Sequence, residues 1–326
     1  MGSFFSKGFN PERDLPDLHG KVMIVTGGNA GIGFAAVQHL ARRGAKVYMA
    51  ARNEEKANAA IERLQAEGLG SGNGEVKWLY LDLADPKITK ASAETFMEQE
   101  ERLDVLINNA SLLLVDYQKT HYGIQDIVMV NYLSAFVFTQ TLLPILKRTA
   151  QEPNSDVRIV NVASDGHNLV PKSVRFRSID DFNREFKEAK LPRFSRYTMT
   201  KLMEVQASKE LQRRLDAEGV PVIVLTVCPG SVNTEGVQNY AHSVGPFLSP
   251  LYTAIANLFF TPASKGAYGA VFAAASPEVR AKPRDYRGAH IQARTKLGKA
   301  SQMAEDPELA KELWETTEKI LQDIQV

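Results

Sequence analysis

From Lys21 onward, short runs of nearly continuous apolar residues alternate with longer stretches in which apolar side chains recur every three or four positions. The runs "VMIVTG", "KVYMAA", "VKWLYLDL", "DVLINNA", "RIVNVAS" and "VIVLTVCPG" have the length and β-branched content of strands, and their lack of polar alternation predicts cover on both faces. Between them, Phe34 to Arg43, Glu54 to Glu67 and Ile124 to Lys147 carry helical spacing. Strand and helix in alternation predict a parallel sheet wrapped by helices, an α/β doubly wound, Rossmann-type architecture of about six or seven strands. No linker cuts the pattern, so the expectation is one domain over residues 21–326 behind a short extension, residues 1–20. The segment from Gln238 to Leu258 breaks the rhythm and reads as inserted. Near the end, Asp306 as N-cap, Pro307 in the first turn and apolar Leu309, Leu313, Ile320 and Leu321 predict a docked amphipathic helix.

Composition narrows the function classes. The 326 residues are 44% hydrophobic and 24% charged, which is ordinary globular usage. Lys and Arg number 39 against 38 Asp and Glu, a net charge of +1, so no broad field draws the chain to nucleic acid or acidic lipid. Cys228 is the only cysteine, which excludes an intrachain disulfide and a multi-cysteine zinc site. No metal is expected. The start "MGSFFSKGFNPERDLPDLHGK" has no apolar run long enough for a signal peptide or a membrane span, and the expectation is a cytoplasmic protein. Gly2 and Ser6 fit the N-myristoylation pattern, but that pattern is degenerate and an unmodified start is the simpler reading.

The chemistry begins after the first strand candidate. There "TGGNAGIG", Thr26 to Gly33, leads into a helical pattern, and glycines at such a turn let backbone approach a pyrophosphate that rests on the helix N-terminus. Gly27, Gly31 and Gly33, with Asn29 and Ile32 between them, are the cofactor-binding candidates. The second strand candidate ends "VYMAARN", with Arg52 where an NAD-binding protein usually has a carboxylate for the ribose hydroxyls. Arginine suits a 2′-phosphate, so NADP(H) is the expected cofactor. Asp82 and Leu83 end the third strand candidate, where the carboxylate could accept from an adenine amino group. In "RYTMTK", Tyr197 and Lys201 stand one helical turn apart, and a lysine cation there favours phenolate. Bringing the phenol to neutrality requires about three pKa units, roughly 4 kcal/mol.

Taken in order, "TGGNAGIG", "LDL", "NNA", "VNYLSAF", "VNVAS", "YTMTK" and "PGSVNT" resemble the short-chain dehydrogenase/reductase family over nearly the whole chain. The resemblance implies a catalytic set of Asn131, Ser164, Tyr197 and Lys201. Tyr197 would exchange the proton, Ser164 would hydrogen-bond the substrate oxygen, and Lys201 would tune the tyrosine and bind the nicotinamide ribose. Asn131 would hold a water linking Lys201 to solvent. It also implies Asn108 and Ala110 as cofactor walls, Pro229, Gly230 and Val232 around the nicotinamide, and Thr234 near the phosphates. Ser111 stands where the family usually has glycine. The long stretch between Ser164 and Tyr197, "DGHNLVPKSVRFRSIDDFNREFKEAKLPRFS", resembles the insertion of the retinol dehydrogenase, WW-domain oxidoreductase and protochlorophyllide reductase branch. His167 within it reads as structural.

The family places a substrate lid after "PGSVNT". Residues at about 235–262 are rich in apolar side chains at helical spacing, among them Phe247, Leu251, Tyr252, Ile255 and Phe259. As a lid they imply a lipophilic substrate, such as a retinoid, steroid or polyketide-like molecule, and allow transient membrane contact; core packing is the competing reading. Three functions compete: NADPH-linked carbonyl reduction or alcohol oxidation, a non-redox or C=C-directed reaction on the same fold, and a non-enzymatic NADP sensor. The first is favoured, because a sensor has no need of a complete catalytic set. Monomer and homodimer both stay open.

Overall fold

The computed structural model describes residues 8–69, 74–235, 237–238, 258 and 260–326. The six apolar runs become β1 (Val22–Thr26), β2 (Lys46–Ala51), β3 (Glu75–Tyr80), β4 (Val105–Asn108), β5 (Val157–Val162) and β6 (Val222–Val227). Four shorter strands follow: β7 (Val232–Asn233), β8 (Thr261–Pro262), β9 (His290–Gln292) and β10 (Lys296–Gly298). The main sheet has eight strands in the order β10-β9-β6-β5-β4-β1-β2-β3, parallel except for β10. This exceeds the six or seven expected, because β9 and β10 are three residues each and too short to register as periodicity. The order reverses between β1 and β4, and in such sheets the crevice at the strand carboxyl ends is where ligands bind.

Alternate side chains of one strand enter two cores, which is why the runs are apolar without alternation. Along β2, Tyr48 and Ala50 join one apolar cluster while Val47, Met49 and Ala51 join the other. Edge strand β3 departs from this pattern. Its residues are mostly exposed or half-buried, and Tyr80 is 44% exposed; among the described residues no strand pairs on its outer side.

Helix Asp126–Ala150 is long and apolar enough by composition to cross a membrane, but its side chains fill the core cluster that covers one face of the sheet. Inside it, Met129–Leu133 widens into a π turn that carries Asn131. The stretch between Ser164 and Tyr197 is packed. Phe176, Phe182 and Phe186 are buried in the main core, and Glu312 on helix Pro307–Asp323 accepts hydrogen bonds from the Phe176 amide at 2.6 Å and the Arg175 guanidinium at 3.1 Å. The Asp306 carboxylate caps that helix through the amides of Glu308 and Leu309.

Candidate active site

The turn after β1 is shaped by what glycine lacks. A Cβ on Gly33 would lie 2.2 Å from the Gly27 carbonyl oxygen, so helix Gly31–Ala41 can press against the turn only with glycine there. Gly31 opens the helix at φ +53°, in the left-handed region that favours glycine. Ala30 at the N-cap offers no side-chain bond to the first turn, which leaves backbone N–H groups available to an anion. Thr26 ties the turn to the end of β4: its hydroxyl accepts from the amides of Asn109 at 2.9 Å and Ala110 at 3.0 Å.

Two adjoining cavities form one groove along this edge. The larger, about 440 Å³, is lined by Gly27, Asn29, Gly31, Ile32, Ala110, Tyr197, Lys201, Pro229, Gly230, Val232 and Thr234. The smaller, about 210 Å³, shares Gly27, Asn29 and Ala110 and adds Arg52, Asp82 and Leu83. Arg52 is largely exposed, and its guanidinium stands 4.0 Å from the Asp82 carboxylate. The groove therefore gathers the glycine turn, the end of β2, the Tyr–Lys pair and the segment after β6. A Cβ-intolerant turn and open helix amides suit a dinucleotide, whose pyrophosphate Gly31–Gly33 would hold.

One cofactor-wall expectation is corrected. Asn108 faces away from the groove; its amide donates to Thr139 at 2.9 Å and to Asn161 at 2.8 Å. Successive strand residues point to opposite sides, and it is Asn109 that lines the groove. Lid residues Phe247, Leu251, Tyr252, Ile255 and Phe259 lie outside the described residues, while Phe260 lines the groove.

Tyr197 and Lys201 sit on helix Pro192–Ala217, and the Ser164 side chain acts on the tyrosine phenol in the direction that favours ionisation. Ser164 Oγ accepts from the Gly166 amide at 3.1 Å, and as a hydroxyl it can donate its own hydrogen as well. His167 holds this turn. One ring nitrogen donates to the Ser164 carbonyl at 2.7 Å and the other accepts from the Ser301 amide at 3.1 Å, so the ring is committed to structure. Asn131 is likewise engaged by protein: it brackets the Leu112 backbone, accepting at 2.6 Å and donating at 3.0 Å, and donates to Thr200 Oγ1 at 3.1 Å. Its side chain thus clamps the wall.

The electrostatics correct the simple picture of a lysine acidifying a tyrosine. Burial holds the Tyr197 phenol above its ordinary value; Lys201 pulls it down, and Glu204 pushes it up again. The reason is that Lys201 is already paired. Its Nζ is buried, donates to both Glu204 oxygens at 2.8 and 3.1 Å and to the Val162 carbonyl at 3.0 Å, and stands 5.5 Å from the Tyr197 ring centre. Glu204 was missed in the sequence. Its place three residues after Lys201 puts it on the same helical face, but that spacing alone does not distinguish a buried partner from a solvated one.

Residues 21–173 match the family model described as short chain dehydrogenase. A short-chain dehydrogenase/reductase of Armillaria gallica is 43% identical over 325 residues, 98% of each chain. A short chain dehydrogenase/reductase of Colletotrichum higginsianum is 36% identical over 97% of this chain and 78% of its own. The chain belongs to the short-chain dehydrogenase/reductase family of oxidoreductases, which bind NAD(P). Among solved structures, an uncharacterized protein from Mycobacterium paratuberculosis superposes with a TM-score of 0.70 at 27% identity over 97% of this chain and 98% of its own. A short chain dehydrogenase from Burkholderia cenocepacia in complex with NADP shares the fold, with a TM-score of 0.60 at 23% identity over 85% of this chain and 97% of its own.

Proposed function

We propose that this chain is an NADP(H)-dependent oxidoreductase that moves a hydride between the cofactor and a carbonyl or alcohol of a lipophilic small molecule, in a retinol dehydrogenase-like branch of its family. The observation that carries this reading is that Tyr197 and Lys201 line the same groove as the glycine turn, with Ser164 near enough to the phenol to favour its ionised form. When bound, the cofactor supplies or accepts the hydride. In the reducing direction, negative charge grows on the substrate oxygen, and the Ser164 hydroxyl and Tyr197 phenol donate to it. Tyr197 then gives up its proton to complete the alcohol. A phenol held above its ordinary value keeps that proton at neutral pH, which suits reduction.

NADP(H) is favoured by Arg52 on the groove rim and by the absence of an acidic residue at the end of β2. The Burkholderia relative's NADP complex supports the same choice. A lipophilic substrate is favoured by apolar Leu113, Val237 and Phe260 along the groove. The test is turnover of NADPH with a panel of apolar ketones and aldehydes, identifying each product by mass, together with titration of NADPH and NADH. Arg52→Ala should weaken NADPH by roughly 1.5–3 kcal/mol, about ten- to more than a hundredfold, and leave NADH nearly unchanged. Equal affinities for the two cofactors in the unaltered protein would refute the NADP(H) assignment.

A further inference from the structure

Glu204 is a buried carboxyl that the reaction as described does not use. Its side chain is 11% exposed, and both its oxygens accept from Lys201 Nζ. Beside it lies a second cavity of about 40 Å³, room for a water, which shares Ala110 with the groove. Asn108, Asn131, Asn161 and Ser208 give this cavity a polar wall, and Phe136 and Trp314 line it as well. Asn108 Oδ1, on a residue of that wall, is buried with no hydrogen-bond partner. Glu204 therefore stands between the catalytic lysine and a polar, water-sized space.

We propose that Glu204 is the charge-compensating partner of Tyr197: its carboxylate takes up a solvent proton through this cavity as Tyr197 gives one to the substrate, and releases it when the phenol is restored. The O–H bond of Tyr197 breaks as the alcohol O–H forms, and one O–H bond forms on Glu204 from a solvent proton. The buried set of Tyr197, Lys201 and Glu204 thus keeps one net charge throughout. An ionised tyrosine beside a lysine whose charge is cancelled is costly in a buried site, and neutralising Glu204 removes that cost.

The surroundings allow Glu204 to titrate in the needed range. Burial pushes its carboxyl up to about 7 against the opposing pull of Lys201. Lys201 is the charged group acting on it; Tyr197 and Cys228 face the lysine in turn. From the packed elements, Asn108, Asn131, Asn161, Ser208 and Tyr132 face the cavity, none of them charged at neutral pH.

This inference rests on Tyr197 as the proton donor, and two measurements on the protein without substrate separate it from that reading. Infrared titration should show a protonated buried carboxyl that ionises near neutrality and is missing in Glu204→Gln. Ultraviolet titration of tyrosinate, with Tyr197→Phe as the blank, should show Tyr197 ionising about one pH unit or more lower in Glu204→Gln, where the lysine charge is no longer cancelled. With a working substrate, the alkaline limb of kcat/KM for reduction should move down by the same amount, and Glu204→Asp, which keeps the charge, should restore it. Matching melting temperatures for the unaltered protein and Glu204→Gln confirm that the pair, not the fold, is being read. An absent carboxyl band, superimposable tyrosinate curves, or Asp behaving like Gln would overturn the proposal, whether or not a substrate has been found.

Discussion

The turn from Thr26 to Gly33 and the helical turn from Tyr197 to Glu204 border the same groove, yet they are built of different material. The first is backbone: glycines without Cβ, open amides, and a threonine clamp to the end of β4. The second is side-chain electrostatics: a phenol, an ammonium and a carboxyl whose ionisations depend on one another. A backbone site tolerates almost no change of shape, whereas a charged site keeps its shape and loses its function when one proton is misplaced. Substitutions in the two regions should therefore fail in different ways.

The largest effect is expected at the charged end. Tyr197→Phe removes the proton donor without touching the cradle, so kcat should fall about 10²- to 10⁴-fold, the span of a positioned general acid. Cofactor affinity should hold. The check is steady-state kinetics alongside fluorescence titration of NADPH, and turnover close to that of the unaltered protein would remove Tyr197 from the chemistry. Lys201→Ala, by contrast, should damage both turnover and binding.

At the backbone end the failure is steric. Gly33→Ala places a methyl 2.2 Å from the Gly27 carbonyl oxygen and 2.6 Å from the Asn109 side-chain nitrogen Nδ2, so the helix must move off the turn. Overpacking of this kind costs about 1–3 kcal/mol, and here it should lower the melting temperature and abolish tight cofactor binding together. Gly269→Ala is the control. It lies in helix Tyr268–Ala275 with nothing within 4 Å of the added Cβ, and should stabilise slightly with unchanged binding. If the two variants behave alike, the cradle is not set by contact at Gly33.

The same contrast explains what the sequence could disclose. A glycine turn between a strand and a helix is legible because glycine's role is local: it reports the backbone path without knowledge of any partner. Tyr197 and Lys201 were legible as a pair because helical spacing fixes their nearness. The role of Glu204 was not, because it depends on burial and on Asn108 and Asn161 from two other strands. Likewise, nothing in "NNA" says which of two adjacent asparagines faces the groove; that follows only from the orientation of β4 in the sheet. Strands β9 and β10 pair at the far edge through three residues each, too few for a pattern to emerge.

The smallest expected effect joins the two regions. Thr200 Oγ1 donates to the Tyr197 carbonyl at 2.7 Å and accepts from the Asn131 amide at 3.1 Å, and Asn131 in turn brackets Leu112 on the segment leading from β4. Thr200→Val keeps the branched shape and deletes both bonds, leaving one amide hydrogen of Asn131 buried without its partner. That should cost about 1–2 kcal/mol, since two neutral hydrogen bonds are lost and one donor is stranded while the Leu112 contacts remain. Asn131→Ala removes all three bonds of the clamp and strands a buried N–H and C=O of Leu112, so it should cost more. Thermal unfolding of both variants with NADPH titration separates clamp from catalysis. Thr200→Val should lower the melting temperature modestly and leave cofactor affinity and the pH profile where they were. A shifted pH profile instead would mean that Thr200 acts on the ionisation of Tyr197, and the clamp would then belong to the charged end of the groove.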